Sequence, residues 1–225
     1  MNSVDKNKEL DFSLKYDMVH ALSYFTKHEN GFWRRLSNWR EQAVARKALQ
    51  LAGNPASVLD VPCGTGRFWG LLAERFDRTI HACDYSQDMI NIGREYRSKE
   101  LVKRIHTFQG SAFDLPVEDE FVDTVFSIRL LHHIGESKDR IAMLKEFHRV
   151  AKDSVIFSLW VDGNLKSWRR KRLETRREKR GYQNRFVIPA ATIEAEIREA
   201  GFELVSKLDF LPGLSMWRFY VLRKY

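Results

Sequence analysis

The sequence predicts a doubly wound α/β fold, a mostly parallel seven-stranded sheet that ends in an antiparallel C-terminal hairpin. Three observations predict it. From Val58 to Ala200, short β-branched runs alternate with segments of helical apolar spacing, as buried parallel strands and crossover helices require. The first run, Ser57-Val58-Leu59-Asp60, passes through Val61-Pro62-Cys63-Gly64-Thr65-Gly66 into an amphipathic segment, which reads as strand, tight loop and helix start. Near the C-terminus, Phe202 to Phe210 and Ser215 to Arg223 frame Leu211-Pro212-Gly213-Leu214, a Pro-Gly turn suited to a hairpin.

In chain order, a first helix is expected over 12–27, with apolar residues at Phe12, Tyr16, Val19 and Phe25, and Asn30-Gly31 breaks it. Phe32 to Ala52 reads as a second helix, with Trp39, Ala43, Arg46 and Gln50 marking one side and Gly53 in the stop position. The alternation then runs strand 58–61, helix 67–76, strand 79–83, helix 87–97, strand 105–108, strand 122–127, helix 138–150 and strand 154–160. A basic insertion follows, and helix 190–200 stops at Gly201. No repeat or low-complexity linker interrupts the pattern, so one domain over 1–225 is expected, with 1–53 as a helical cap and 162–188 as an inserted lid.

Composition agrees: 225 residues, 44% hydrophobic and 30% charged, are those of a globular domain with its own core. Met1 to Glu9 is polar with mixed charges, unlike a signal peptide. The apolar run Val155 to Val161 is far below the ~20 residues that a bilayer span needs. Cys63 and Cys83 are the two cysteines, too few for a disulfide framework and suited to a reducing compartment. The expectation is a cytoplasmic protein without a transmembrane segment.

The loop after the first strand has the chemistry of a nucleotide-type cradle. Gly64 and Gly66 lack Cβ, so a ligand can approach the backbone N–H groups closely, and the following helix start adds positive potential. A dinucleotide fingerprint would place its third glycine at Trp69, where an indole blocks close helix–strand packing. No Gly-Lys-Ser/Thr follows, which excludes a P-loop. Ile80-His81-Ala82-Cys83-Asp84 reads as a second strand ending in an acid, 24 positions after Asp60. An ionised Asp only accepts hydrogen bonds, which suits a ribose diol. Each station alone has an ordinary reading: a βα loop, a helix cap at Asp84, a turn residue at Asp114. Their ordered recurrence at strand ends, where open α/β sheets bind ligands, favours a site.

These stations resemble the class I S-adenosylmethionine (SAM)-dependent methyltransferases. Asp60-Val61-Pro62-Cys63-Gly64-Thr65-Gly66 is similar to their acid-plus-glycine motif, with Pro62 where the family has its first glycine. Gln109 to Asp114 resembles the adenine station, and Phe121 to Arg129 the strand whose end passes under the methionine part of the cofactor. The resemblance implies a Rossmann-like fold, SAM as cofactor, and contacts from Asp60, Cys63, Gly64, Thr65, Gly66, Asp84, Tyr85, Met89, Ala112, Phe113, Asp114, Ile128 and Arg129. It further implies that the N-terminal helices close over the cofactor, which makes Arg46 either a partner of its carboxylate or a solvated surface arginine. Leu131-His132-His133-Ile134 and Glu146-Phe147-His148-Arg149-Val150 look most like the ubiquinone/menaquinone-biosynthesis group.

Methyl transfer from a sulfonium needs positioning above all, and no metal; adjacent histidines without Cys or Glu at ligand spacing make no metal site. His132 and His133, just past the fourth strand, are candidates for a general base; the alternative is one histidine capping a loop and one exposed. The net charge of +8 equals that of Asn164 to Arg185 alone, which holds ten basic and two acidic residues. Four readings of that insertion stand: a solvated lid, a grip on an anionic small substrate, RNA binding, and an anionic membrane surface, for which Leu165, Trp168 and Leu173 make a poor apolar face. The expected function is methylation of a small anionic or aromatic metabolite at oxygen, carbon or nitrogen. The alternatives are an RNA or protein methyltransferase gripping its target through the insertion, and a non-catalytic SAM-binding regulator.

Overall fold

The computed structural model describes residues 32–177 and 185–225, so the helix expected at 12–27 lies outside the described residues. Seven strands form one sheet: β1 (Ser57–Asp60), β2 (Thr79–Asp84), β3 (Ile105–Gln109), β4 (Val122–Ser127), β5 (Ala151–Trp160), β6 (Phe202–Asp209) and β7 (Trp217–Lys224). Their spatial order is β3-β2-β1-β4-β5-β7-β6. The first five pair in parallel, and β7 runs antiparallel between β5 and β6. Strand order reverses between β1 and β4, which opens a crevice at the carboxyl ends of those strands.

Both faces of the sheet are covered, which explains the continuous apolar runs. Along β5, Val155 and Phe157 join one core while Ile156 joins the other, because successive side chains point to opposite faces. One layer is α5 (Ser137–Val150) and α7 (Ala190–Glu199), which contribute Met143, Leu144, Phe147, Ile193 and Ile197. The opposite layer includes α1 (Phe32–Leu51) and the single turn α2 (Trp69–Leu72), with α3 (Gln87–Tyr96) and the short α4 (Lys99–Val102) farther along the chain. The basic insertion forms α6 (Leu165–Arg177).

Two details differ from expectation. The buried side of α1 carries Glu41, Val44, Ala45, Ala48 and Leu49, whereas Trp39, Arg46 and Gln50 are exposed. Periodicity alone left the facing of this helix ambiguous, since both stripes recur at helical spacing. The helix expected at 67–76 is one turn, because arginines take the carbonyls that would continue it: Arg78 Nη1 donates to Leu72 O (3.0 Å) and Arg104 Nη1 to Ala73 O (2.8 Å).

Candidate active site

Trp69 determines the shape of the glycine loop. Its fully buried indole lies so close that a Cβ on Gly66 would sit 2.4 Å from it, and one on Gly93 of α3 would sit 3.0 Å away. The space that a third glycine frees in dinucleotide folds is filled here by an aromatic ring, and the loop and α3 are glycine where they meet it. Gly64 and Gly66 both have positive φ, +54° and +69°, a region costly for residues with a Cβ.

Asp84 then clamps this loop. Its Oδ2 accepts from Gly64 N (2.8 Å) and its Oδ1 from Ser86 N (2.9 Å). Burial pushes its pKa up to about 6, against the pull of those N–H groups. Asp60, at the end of β1, is fully buried beneath the loop, and its Oδ2 has no hydrogen-bond partner among the described residues. Burial first, and the charge of Asp84 second, raise its pKa well above the carboxylate range. Two carboxyls with unused acceptor capacity, beside backbone exposed by glycine, fit a ligand rich in hydroxyl and ammonium donors.

One cavity gathers most of the expected residues. Cys63, Gly64, Thr65, Asp84, Tyr85, Met89, Ala112, Phe113, Ile128, Arg129, His132 and His133 all line it, together with Arg67, Phe68, Met143, Arg185 and Trp217. Gly66 and Asp60 lie behind the wall, while Asp114 is exposed beside it. Arg46 faces away, forming a bidentate pair with Glu74 at 2.7 and 2.5 Å on the surface. Of its two readings this placement agrees with the surface arginine, because α1 turns its other side inward.

The inward side presents Glu41, which sequence reasoning missed. Its oxygens accept from Arg129 Nε and Nη2 at 2.8 Å each, and Arg67 Nη2 bonds the same carboxylate. Burial opposes its charge, but the two guanidinium groups prevail and hold the carboxyl below its ordinary pKa. An acid at helical spacing from Val44, Ala45 and Ala48 was the available clue. Arg129 has φ +68°, its N–H donates to Ser158 Oγ (3.0 Å), and its guanidinium stacks 5.1 Å from the Trp217 ring.

His132 is buried among aromatic rings, with Trp160 at 5.0 Å, Trp217 at 4.8 Å and His133 at 4.0 Å. Its carbonyl accepts from Phe186 N (2.7 Å), which fixes the segment after α6. Its Nδ1 has no partner among the described residues. Burial, then the charges of His133, Arg185, Arg129 and Arg170, push its pKa well below 6.5, so the imidazole is neutral at physiological pH.

Residues 58–154 match the family model described as a methyltransferase domain. Over that segment the chain is similar to methyltransferase domains. It is 31% identical over 143 residues to a demethylmenaquinone methyltransferase of Alkalihalophilus pseudofirmus, covering 61% of this chain and 53% of that one. A tRNA (carboxymethyluridine(34)-5-O)-methyltransferase of Arabidopsis thaliana is 29% identical over 128 residues, covering 56% of this chain and 28% of the other. The chain thus spans about half the length of the demethylmenaquinone methyltransferase it matches. Among solved structures, magnesium protoporphyrin IX methyltransferase from Synechocystis PCC 6803 with bound SAH superposes with TM-score 0.70 at 16% identity, over 87% of this chain and 89% of that one. The likeness of fold therefore extends beyond the matched segment. Among the described residues no helix is long and apolar enough to cross a membrane.

Proposed function

We propose that this chain transfers a methyl group from SAM to a small acceptor with an anionic or aromatic group. The observation that carries the reading is the continuity of one cavity from the Gly64–Asp84 clamp to the His132, Trp217 and Arg185 end. Gly64, Thr65 and Asp84 would hold the adenosyl part, with Ala112 and Phe113 beside the ring and Arg129 toward the carboxylate. SAM supplies an electrophilic methyl carbon on a sulfonium, a good leaving group that needs little chemical help.

The protein's part is placement and exclusion of water. Trp217 and Phe68 give the cavity apolar walls, and Arg129 and Arg185 give it positive charge, which favours a planar acceptor bearing a carboxylate or an acidic hydroxyl. Neutral His132, which lines the cavity, can take the acceptor's proton. Calorimetry with SAM and its demethylated product tests the cofactor, and mass spectrometry of an extract incubated with the enzyme and labelled SAM tests the reaction. Absence of any SAM affinity would refute the reading.

A second reading, methylation of RNA, draws on the basic charge of α6 and on the tRNA-modifying relative. It predicts a labelled polynucleotide in the same extract experiment.

A further inference from the structure

The turn between β6 and β7 leaves the sheet at the edge where the candidate site lies, because Trp160 at the end of β5 pairs with Trp217 at the start of β7. Its tip is Leu211-Pro212-Gly213-Leu214, with both leucines exposed, Leu214 to 53%. Two other segments are fastened beside it. Leu165 N and Lys166 N, at the start of α6, donate to Gly213 O (3.0 Å) and Leu214 O (3.3 Å). Leu165, Trp168, Lys171 and Gly213 thereby line one shallow depression, with Trp168 52% exposed. On the other flank Arg40 of α1 donates from Nε to Phe210 O (2.8 Å) and from Nη2 to Asp209 O (3.4 Å). This draws up the outer side of α1, where Leu36 and Trp39 are exposed.

Sequence periodicity on the insertion alone gave it a poor apolar face. The fold adds the leucines of a distant turn and tethers α1 to the same turn, and so assembles an apolar rim from three segments. Charge surrounds it: α6 carries seven Lys or Arg and one Glu, with Lys166, Arg169 and Lys171 exposed. Clustered exposed apolar residues mark interaction sites, and leucine and tryptophan bordered by lysine and arginine match the layering of a bilayer's acyl chains, interface and anionic headgroups.

We propose that this rim docks the protein onto an anionic lipid bilayer. The leucines and tryptophans enter the headgroup region, and Lys166, Arg169 and Lys171 face acidic headgroups. A polynucleotide would use the cations and stack on the tryptophans, but it gives the four leucines nothing to bury against. The proposal rests on this surface alone and holds whether or not the cavity transfers methyl groups.

The test is co-sedimentation of the full chain with phosphatidylcholine vesicles, with and without phosphatidylglycerol. Expected is binding to the anionic vesicles that weakens with salt. It falls about tenfold in Leu211→Ser/Leu214→Ser and again in Lys166→Gln/Arg169→Gln/Lys171→Gln, while SAM affinity and the melting temperature stay unchanged. Quenching of tryptophan fluorescence by brominated lipids gives a readout on the unaltered protein. No binding to anionic vesicles at low salt, no quenching, or binding undiminished in the leucine variant overturns the proposal. RNA that binds the leucine variant as tightly as the parent and displaces vesicles assigns the surface to a polynucleotide instead. A dimer that the leucine variant dissolves assigns it to a second copy.

Discussion

Both carboxylate oxygens of buried Glu41 accept from the guanidinium of Arg129, joining α1 to the end of β4 across 88 residues of chain. Arg67, just past the glycine loop, meets the same carboxylate, so one acid ties together a helix, the glycine loop and the strand end. Removing one partner of a buried ion pair leaves uncompensated charge and costs about 3–5 kcal/mol. Glu41→Ala is therefore expected to lose that much in urea unfolding. SAM affinity should fall with it, because Arg67 and Arg129 both line the cavity. Glu41→Gln keeps the shape and some hydrogen bonding, so its losses should be smaller in both measurements.

Trp69 and Gly66 form a matched pair. A methyl group on Gly66 would enter the indole at 2.4 Å and would also need a positive φ, so Gly66→Ala should destabilise by about 1–3 kcal/mol from overpacking and weaken SAM binding. Trp69→Ala empties a fully buried site and is expected to cost about 3–5 kcal/mol. Thermal unfolding of both variants, each with and without SAM, checks the pair.

Much of this architecture was legible in the sequence because its causes are local. Buried parallel strands must read as apolar runs, and Asp60, Gly64, Gly66 and Asp84 sit at fixed offsets from strand ends. The strand at 122–127 agrees with β4 to the residue. What stayed hidden depends on pairing between distant segments. Glu41 is an ordinary helix acid until Arg67 and Arg129 converge on it. Trp217 enters the cavity only through its register opposite Trp160, and Arg46 reads as a ligand candidate only while the facing of α1 is unknown.

Asp84 links stability to function through pH. Its folded pKa, about 6, lies above the ordinary value of 3.8. The stabilisation from its protonated form is thus fully present below about pH 4 and lost as pH rises through 6. At pH 7 the folded protein holds a buried charge at a cost of up to about 3 kcal/mol. Asp84→Asn removes that cost, but its amide offers one accepting oxygen and turns its NH2 against the other of the Gly64 and Ser86 N–H groups, so gain and loss in stability at pH 7 should largely offset. SAM affinity should nevertheless drop, because an ionised acid accepts more strongly from ribose hydroxyls. In the parent protein, affinity should decline as pH is lowered through 6; calorimetry from pH 8 to 5 measures it, and a flat profile would place the ribose elsewhere.

His132 and His133 make opposite demands on the same assay. If His132 takes the acceptor's proton, His132→Ala should lower kcat by about 10²–10⁴-fold with SAM affinity kept. Its neighbour's replacement should act mainly on KM. Because burial and the nearby cations hold the His132 pKa well below 6.5, the acid limb of kcat/KM should begin below the ordinary histidine range. An inflection near 6.5 that survives His132→Ala would transfer the proton to another group. Equal, small effects of both replacements would mean that placement beside Trp217 and Arg129 suffices, as a methyl donor with so good a leaving group permits.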